Sequence, residues 1–250
     1  MKKQLQVLVF FVLVVGLLVS STISLANSKT AYQEYKLGLN NFRNGNYQQA
    51  VVNLIESISI DPDLLYPHYI LGLSYDRLEK YSFAETQLEK AHQINPEHYR
   101  VLINLGRVYL DQGKIKEAIK VLKRAIQVKQ DQDEAYNILG RAYMKQGLLK
   151  KSIKYYKQAV HKNKKNCYAI NNLGLAYIRI SQYKKAVSIL RLGAKLDSKL
   201  SYLYNNLGIA YENTGQLLEA QEAYQQALKL KSNYQKAQIN LKRVNRLLSN

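Results

Sequence analysis

The chain has 250 residues, with 37 lysines and arginines against 18 aspartates and glutamates, and a formal net charge of +19. It holds one cysteine, Cys167, which excludes an internal disulfide and is expected to be a structural thiol rather than a nucleophile. Length alone would predict one or two globular domains.

The first 26 residues differ in composition from the rest of the chain. Two lysines precede an apolar run from Val7 to Val19, and Ser24 and Ala26 supply small residues near its end. These three parts are typical of a secretory signal peptide. A membrane-spanning helix needs about 20 apolar residues, which favours cleavage after Ala26, but a retained membrane anchor stays an alternative. In either case, the repeats that follow the short polar link 27–30 are expected to cross the membrane.

From residue 31 the sequence repeats every 34 residues, without insertion or deletion. The six units are 31–64, 65–98, 99–132, 133–166, 167–200 and 201–234. Position 7 of the unit is always leucine, and position 8 is glycine in every copy: Gly38, Gly72, Gly106, Gly140, Gly174 and Gly208. Position 11 is tyrosine in all units except the first.

The spacing of the apolar and small residues predicts two helices in each unit. Leucine at position 7 and tyrosine at position 11 form one stripe, and small residues at positions 20 and 27 with a large one at position 24 form a second. Small side chains let the two helices approach closely. Glycine at position 15 of four units marks the turn between them, where a positive φ is tolerated.

This period and these positions resemble the tetratricopeptide repeat family. The resemblance covers 204 of the 250 residues. It implies an all-α fold class, namely an α-solenoid built as a right-handed superhelix of antiparallel helix pairs. Residues 235–250 are predicted to form a C-terminal capping helix, with Ala237, Ile239, Leu241 and Val244 on its apolar side.

The resemblance also implies a peptide-binding groove, because the first helices of the family's units line a concave surface. Asparagine amides both donate and accept hydrogen bonds, which suits an extended peptide backbone, and arginines favour acidic segments. The alternative role for the asparagines is to bond neighbouring turns of the array. The predicted groove residues are Tyr35, Tyr69, Asn104, Arg107, Asn137, Arg141, Lys145, Asn171, Asn172, Arg179, Asn205 and Asn206.

The positive charge is concentrated in units three to five, where residues 99–200 carry 23 basic and 6 acidic side chains. Much of it falls on the second helices, which the resemblance places on the outer, convex side. This basic belt is either a solvated face or an adhesion surface for anionic lipid or an acidic partner. It consists of Lys116, Lys120, Lys123, Arg124, Lys150, Lys151, Lys154, Lys157, Lys184, Lys185, Arg191 and Lys195.

No catalytic or nucleotide-binding motif is present, and the four histidines lack metal-ligand spacing. We therefore expect no enzymatic activity, cofactor or nucleic-acid partner. The predicted function is an exported, periplasmic or otherwise extracytoplasmic interaction scaffold, which binds a peptide or partner helix and supports assembly of an envelope or membrane complex. The alternative is a peripheral binder of anionic lipid or polymer through the basic belt.

Overall fold

The computed structural model describes residues 30–196 and 199–249. Within them the chain forms thirteen helices and no strand, which confirms the predicted all-α fold class. The helices are α1 (30–43), α2 (Tyr47–Ile60), α3 (Leu65–Arg77), α4 (Tyr81–Ile94), α5 (Tyr99–Asp111), α6 (Ile115–Val128), α7 (Asp133–Lys145), α8 (Leu149–Lys162), α9 (Cys167–Arg179), α10 (Tyr183–Lys195), α11 (Ser201–Glu212), α12 (Leu217–Leu230) and α13 (Gln235–Leu248).

The predicted signal or anchor segment, 1–26, lies outside the described residues. Among the residues that the structure does describe, no helix combines the length and the apolar character needed to cross a bilayer.

The turn inside each unit has a left-handed residue at position 15. Gly45, Gly113, Gly147 and Gly215 have φ between 76° and 80°. Glu79 and Ser181 occupy this position in the two other units and adopt φ 57° without being glycine. A hydrogen bond of 2.9 Å from Gln182 N to Tyr177 O closes the turn in the fifth unit. The turn geometry is therefore set by the helix pair, and glycine lowers its conformational cost.

The chain divides into two compact units of structure, of which the first ends at Gln112 and contains α1 to α5. Its core is centred on Ala50, Leu54, Ile70 and Leu71. The buried Ser57 hydroxyl donates to the Ala31 carbonyl at 2.7 Å, which ties α2 to α1. We call this part unit 1. The names unit 1 and unit 2 are kept for the two compact parts, whereas the 34-residue repeats are called the first to the sixth unit.

Unit 2 begins at Gly113 and contains α6 to α13. Its core runs through Tyr156, Ile170, Leu190 and Leu203, each at most 2 % exposed. Helix α13 packs on α11 and α12, as expected for the end of an array.

The buried face of α13 is narrower than the sequence predicted. Ala237 and Val244 are fully buried and Leu241 is partly buried, but Ile239 is 62 % exposed. The reason is geometric, because Ala237, Leu241 and Val244 follow helical spacing whereas Ile239 lies about 200° around the helix from Ala237.

Candidate functional site

The first helices of unit 2 are linked by asparagine side chains. Asn172 donates to Asn137 Oδ1 at 2.9 Å, and Asn206 donates to Asn171 Oδ1 at the same distance. Asn240 of α13 then donates to Asn205 at 3.0 Å. Each bond joins position 6 of one helix to position 5 of the first helix before it. We call this series the asparagine ladder.

The asparagine ladder gives the predicted groove asparagines partners inside the protein. Asn137, Asn171, Asn205 and Asn206 are between 3 % and 9 % exposed, so their amides lie mostly between helices rather than on an open surface. In unit 1, Asn104 donates to the Tyr69 hydroxyl at 3.0 Å and to the Arg100 carbonyl. The structure thus gives these amides a bonding role between neighbouring helices, the alternative that the sequence left open.

The predicted basic groove residues fall into two settings. In unit 1, Arg107 lies near Asp76, whose pKa is raised by burial and lowered by the Arg107 charge. In unit 2, Arg141 is half-buried, whereas Lys145 and Arg179 are exposed. The three unit 2 cations lie on α7 and α9, which pack against each other.

Tyr156 connects the core of unit 2 to these cations. Its ring passes beside Gly140, where an added Cβ would come within 2.6 Å of the ring. Burial raises the pKa of Tyr156, and the charges of Arg141 and Arg179 act to lower it. Tyr156 is 2 % exposed, so its ring belongs to the core of unit 2.

The sixth unit shows what such a hydroxyl can bind. Tyr224 occupies the same repeat position as Tyr156, and its hydroxyl donates to Glu212 Oε2 at 2.8 Å. Glu212 stands at position 12 of its unit, where the fourth unit has Met144. The fourth unit therefore has methionine at the position that supplies the carboxylate in the sixth unit. We call Arg141 and Arg179 the cationic site.

The aromatic residues of unit 1 form a row that includes the predicted Tyr35 and Tyr69. The ring centroids of Tyr35 and Tyr66 are 6.4 Å apart, and the His98 ring is 5.8 Å from both Tyr66 and Tyr69. His98 was not among the predicted groove residues. It is the last residue of the second unit, and its ring contacts depend on its place beside α5, the first helix of the third unit.

All twelve residues of the predicted basic belt are solvent-exposed. They belong to α6, α8 and α10, the second helices of units three to five. Among the described residues, no group of three or more His, Cys, Asp or Glu side chains is arranged to hold a metal ion.

These features define a solenoid of paired helices, and family comparison agrees. Models described as TPR repeat or Tetratricopeptide repeat match residues 106–147, 133–166, 168–200 and 201–234. The chain belongs to the tetratricopeptide repeat family. No protein with a curated description matches it in sequence.

Solved structures share the fold at low sequence identity. One chain of the crystal structure of the APC/C hetero-tetramer Cut9–Hcn1 aligns over 86 % of this chain with a TM-score of 0.76 and 18 % identity, and this chain spans only 43 % of that one. PilF of Pseudomonas aeruginosa aligns over 85 % of this chain and 97 % of its own, with a TM-score of 0.74 and 19 % identity. YrrB, described as a TPR protein with an unusual peptide-binding site, aligns over 76 % of this chain and 97 % of its own at 17 % identity and a TM-score of 0.57.

Proposed function

We propose that this protein is a non-enzymatic interaction scaffold that binds an acidic segment of a partner protein at the cationic site of unit 2. Tetratricopeptide repeat proteins commonly bind protein or peptide partners, which supports the general role. The observation that carries the specific proposal is the cluster of cations on the packed helices α7 and α9, where Arg141 is half-buried and Lys145 and Arg179 are exposed.

The chemistry of the cationic site suits a carboxylate. Arginine presents a planar fork of donors that matches a carboxylate in two parallel hydrogen bonds. A partner's aspartate or glutamate would take the part that Glu212 of the sixth unit takes for Arg243 of α13. Lys145, exposed in the last turn of α7, adds positive charge for neighbouring acidic residues.

Binding of a fluorescein-labelled peptide of alternating aspartate and serine, followed by anisotropy, tests this proposal. Hydrogen bonds to charged groups contribute about 1.5–3 kcal/mol each, so Arg141→Gln with Arg179→Gln should weaken binding at least about tenfold. The control is Lys150→Gln with Lys154→Gln, which removes the same charge from exposed positions of α8. Equal losses in both double variants would show general attraction and overturn the proposal.

We propose further that the protein is exported and supports assembly of an envelope or membrane complex. The support is the basic, apolar and small-residue order of residues 1–26. Sequencing the amino terminus of the mature protein tests export. A new terminus at Asn27 indicates a cleaved signal, an intact segment in the membrane fraction indicates an anchor, and an intact chain in the cytoplasmic fraction rejects export.

The exposure of all twelve basic belt residues favours a second candidate function, adhesion to anionic lipid or polymer. Each lysine near an anionic membrane contributes about 1 kcal/mol, so several acting together would hold the protein at a surface. Flotation with anionic and with neutral vesicles tests this role. Changing Lys150, Lys151, Lys154 and Lys157 to glutamate should abolish binding to anionic vesicles, and unchanged flotation would reject the belt as an adhesion surface.

A further inference from the structure

A groove lies between α8 and α10 of unit 2. Among the described residues both helices pack on α9 and not on each other, which leaves a cavity of about 420 Å³ between them. Leu173 and Tyr177 of α9 contribute to the lining, with Val160 of α8 and Ile189 of α10. A cavity of this volume falls within the range of ligand-binding pockets, about 300–1,000 Å³.

The groove lacks an aromatic ring that the fourth unit has at the equivalent place. In the fourth unit, Tyr155 stacks on Tyr143 with ring centroids 5.3 Å apart and an interplanar angle of 9°. In the fifth unit, Tyr177 takes the place of Tyr143, but Ile189 stands where Tyr155 would be. The shorter side chain lacks the ring that would stack on Tyr177, and Tyr177 remains part of the cavity lining.

Leu192 adds an apolar side chain to the lining of the groove, at 36 % exposure. It occupies position 26, which is polar or charged in every other unit: Glu56, Lys90, Arg124, Gln158 and Gln226. Because the other five units carry a polar or charged residue at this position, the packing of the repeat does not require a leucine there. Its placement extends the apolar lining toward solvent.

The groove is bordered by positive charge. Lys157, His161 and Lys164 lie on one side, and Lys185 of α10 lies on the other, with its ammonium 6.0 Å from the centre of the Tyr177 ring. The sixth unit has Glu219 and Glu222 where the fifth has Lys185 and Ser188. The rim of the α8–α10 groove is therefore basic where the sixth unit carries acidic residues.

We propose that the α8–α10 groove binds an acidic amphipathic helix of a partner protein. The lining residues of α10 run from Lys185 to Leu192, about 10 Å or two helical turns along the axis, which matches a helix with apolar residues at i, i+3 or i+4, and i+7. Acidic residues beside that stripe would meet the lysines of both walls. Cations spread along two walls suit a row of carboxylates better than a single lipid headgroup.

A designed peptide of leucine, glutamate and alanine, about 18 residues long so that it is helical, provides the probe. Leucines lie on one face and glutamates flank them, and binding is measured by fluorescence anisotropy. Ile189→Tyr fills the groove with the residue that the fourth unit carries, and Leu192→Gln restores the residue of the fourth and sixth units. Each substitution should weaken binding at least about tenfold, and circular dichroism should be unchanged.

Matched controls separate the groove from general attraction. Leu218→Gln, at a 64 % exposed leucine of α12, should leave binding unchanged. Ile189→Tyr and Leu192→Gln leave Arg141 and Arg179 in place, so the groove is tested separately from the cationic site. Replacing the peptide's leucines by serine should abolish binding. The proposal is overturned if the wild type does not bind the peptide or if the serine peptide binds equally well. It is also overturned if Ile189→Tyr and Leu192→Gln weaken binding of the protein to anionic vesicles but leave its binding to the peptide unchanged.

Discussion

The side-chain amide of Asn206 donates to the side-chain oxygen of Asn171 at 2.9 Å, and both residues are almost fully buried. The two residues are 35 positions apart, so the bond joins α9 to α11. Equivalent bonds join α7 to α9 and α11 to α13. The same polar contact thus recurs between successive first helices of unit 2, and it favours one register of packing between them.

Removing the acceptor should leave a buried donor unpaired. Asn171→Ala takes away the partner of the Asn206 amide, and an unsatisfied buried donor costs about 1–3 kcal/mol. Urea unfolding should show this loss, whereas Gln225→Ala, at an exposed position of α12, should change stability little. The double variant Asn171→Leu with Asn206→Leu should lose less stability than the sum of the losses in Asn171→Leu and Asn206→Leu alone. Losses that simply add in the double variant would contradict the ladder.

The terminal helix is held by an ion pair between α13 and α11. Arg243 donates to both oxygens of Glu212 at 2.7 Å, and this hydrogen bonding is the main cause that lowers the pKa of Glu212. Arg243 is half exposed, so Arg243→Met should cost about 1 kcal/mol or less at neutral pH.

The cost of Arg243→Met depends on pH in the direction set by the lowered pKa of Glu212. A carboxyl with a lowered folded pKa stabilises the fold above its unfolded pKa, and the contribution disappears as pH falls through the folded value. The difference in unfolding free energy between the wild type and Arg243→Met should therefore shrink in acid. A difference that is constant from neutral to acidic pH would show that packing, not charge, holds α13.

His98 should remain neutral at physiological pH. Burial is the main cause that lowers its pKa, followed by the Arg100 charge, and its Nδ1 accepts from the Val101 amide at 3.3 Å at the start of α5. The unfolded chain then binds more protons, so stability rises with pH through this range and the contribution is lost in acid. An NMR titration of the ring should give a midpoint below 6.5, and Arg100→Gln should raise it. A midpoint at or above 6.5 would contradict the burial of this ring.

Gly140 should not tolerate a methyl group, although alanine is the better helix former by about 1 kcal/mol. The added Cβ would lie 2.6 Å from Tyr156 Cδ1 and Cε1, which forces the ring to move. Gly140→Ala should lower the melting temperature, with an overpacking cost of about 1–3 kcal/mol. An unchanged or raised melting temperature would show that the helices separate freely at this point.

The sequence predicted the fold well because the solenoid depends on local, repeated contacts. Leucine at position 7 and glycine at position 8 place helix against helix in each unit, and a period of 34 reveals both. The partners of the asparagines could not be predicted, because the choice between Asn171 and a bound peptide depends on the distance between adjacent helices. The α8–α10 groove was equally hidden, since its apolar lining depends on the spacing of α8 and α10 and on Leu192, a departure from the repeat.

The most direct test of the account is to find where an acidic segment binds. Carbodiimide cross-linking joins carboxylates to lysines that they contact, and mass spectrometry then identifies the lysine. With the aspartate–serine peptide at saturation, we expect the amide bond at Lys145, on the same helix as Arg141 and exposed. Cross-links that fall instead on Lys150, Lys151 and Lys154 of α8, with none at Lys145, would contradict binding at the cationic site.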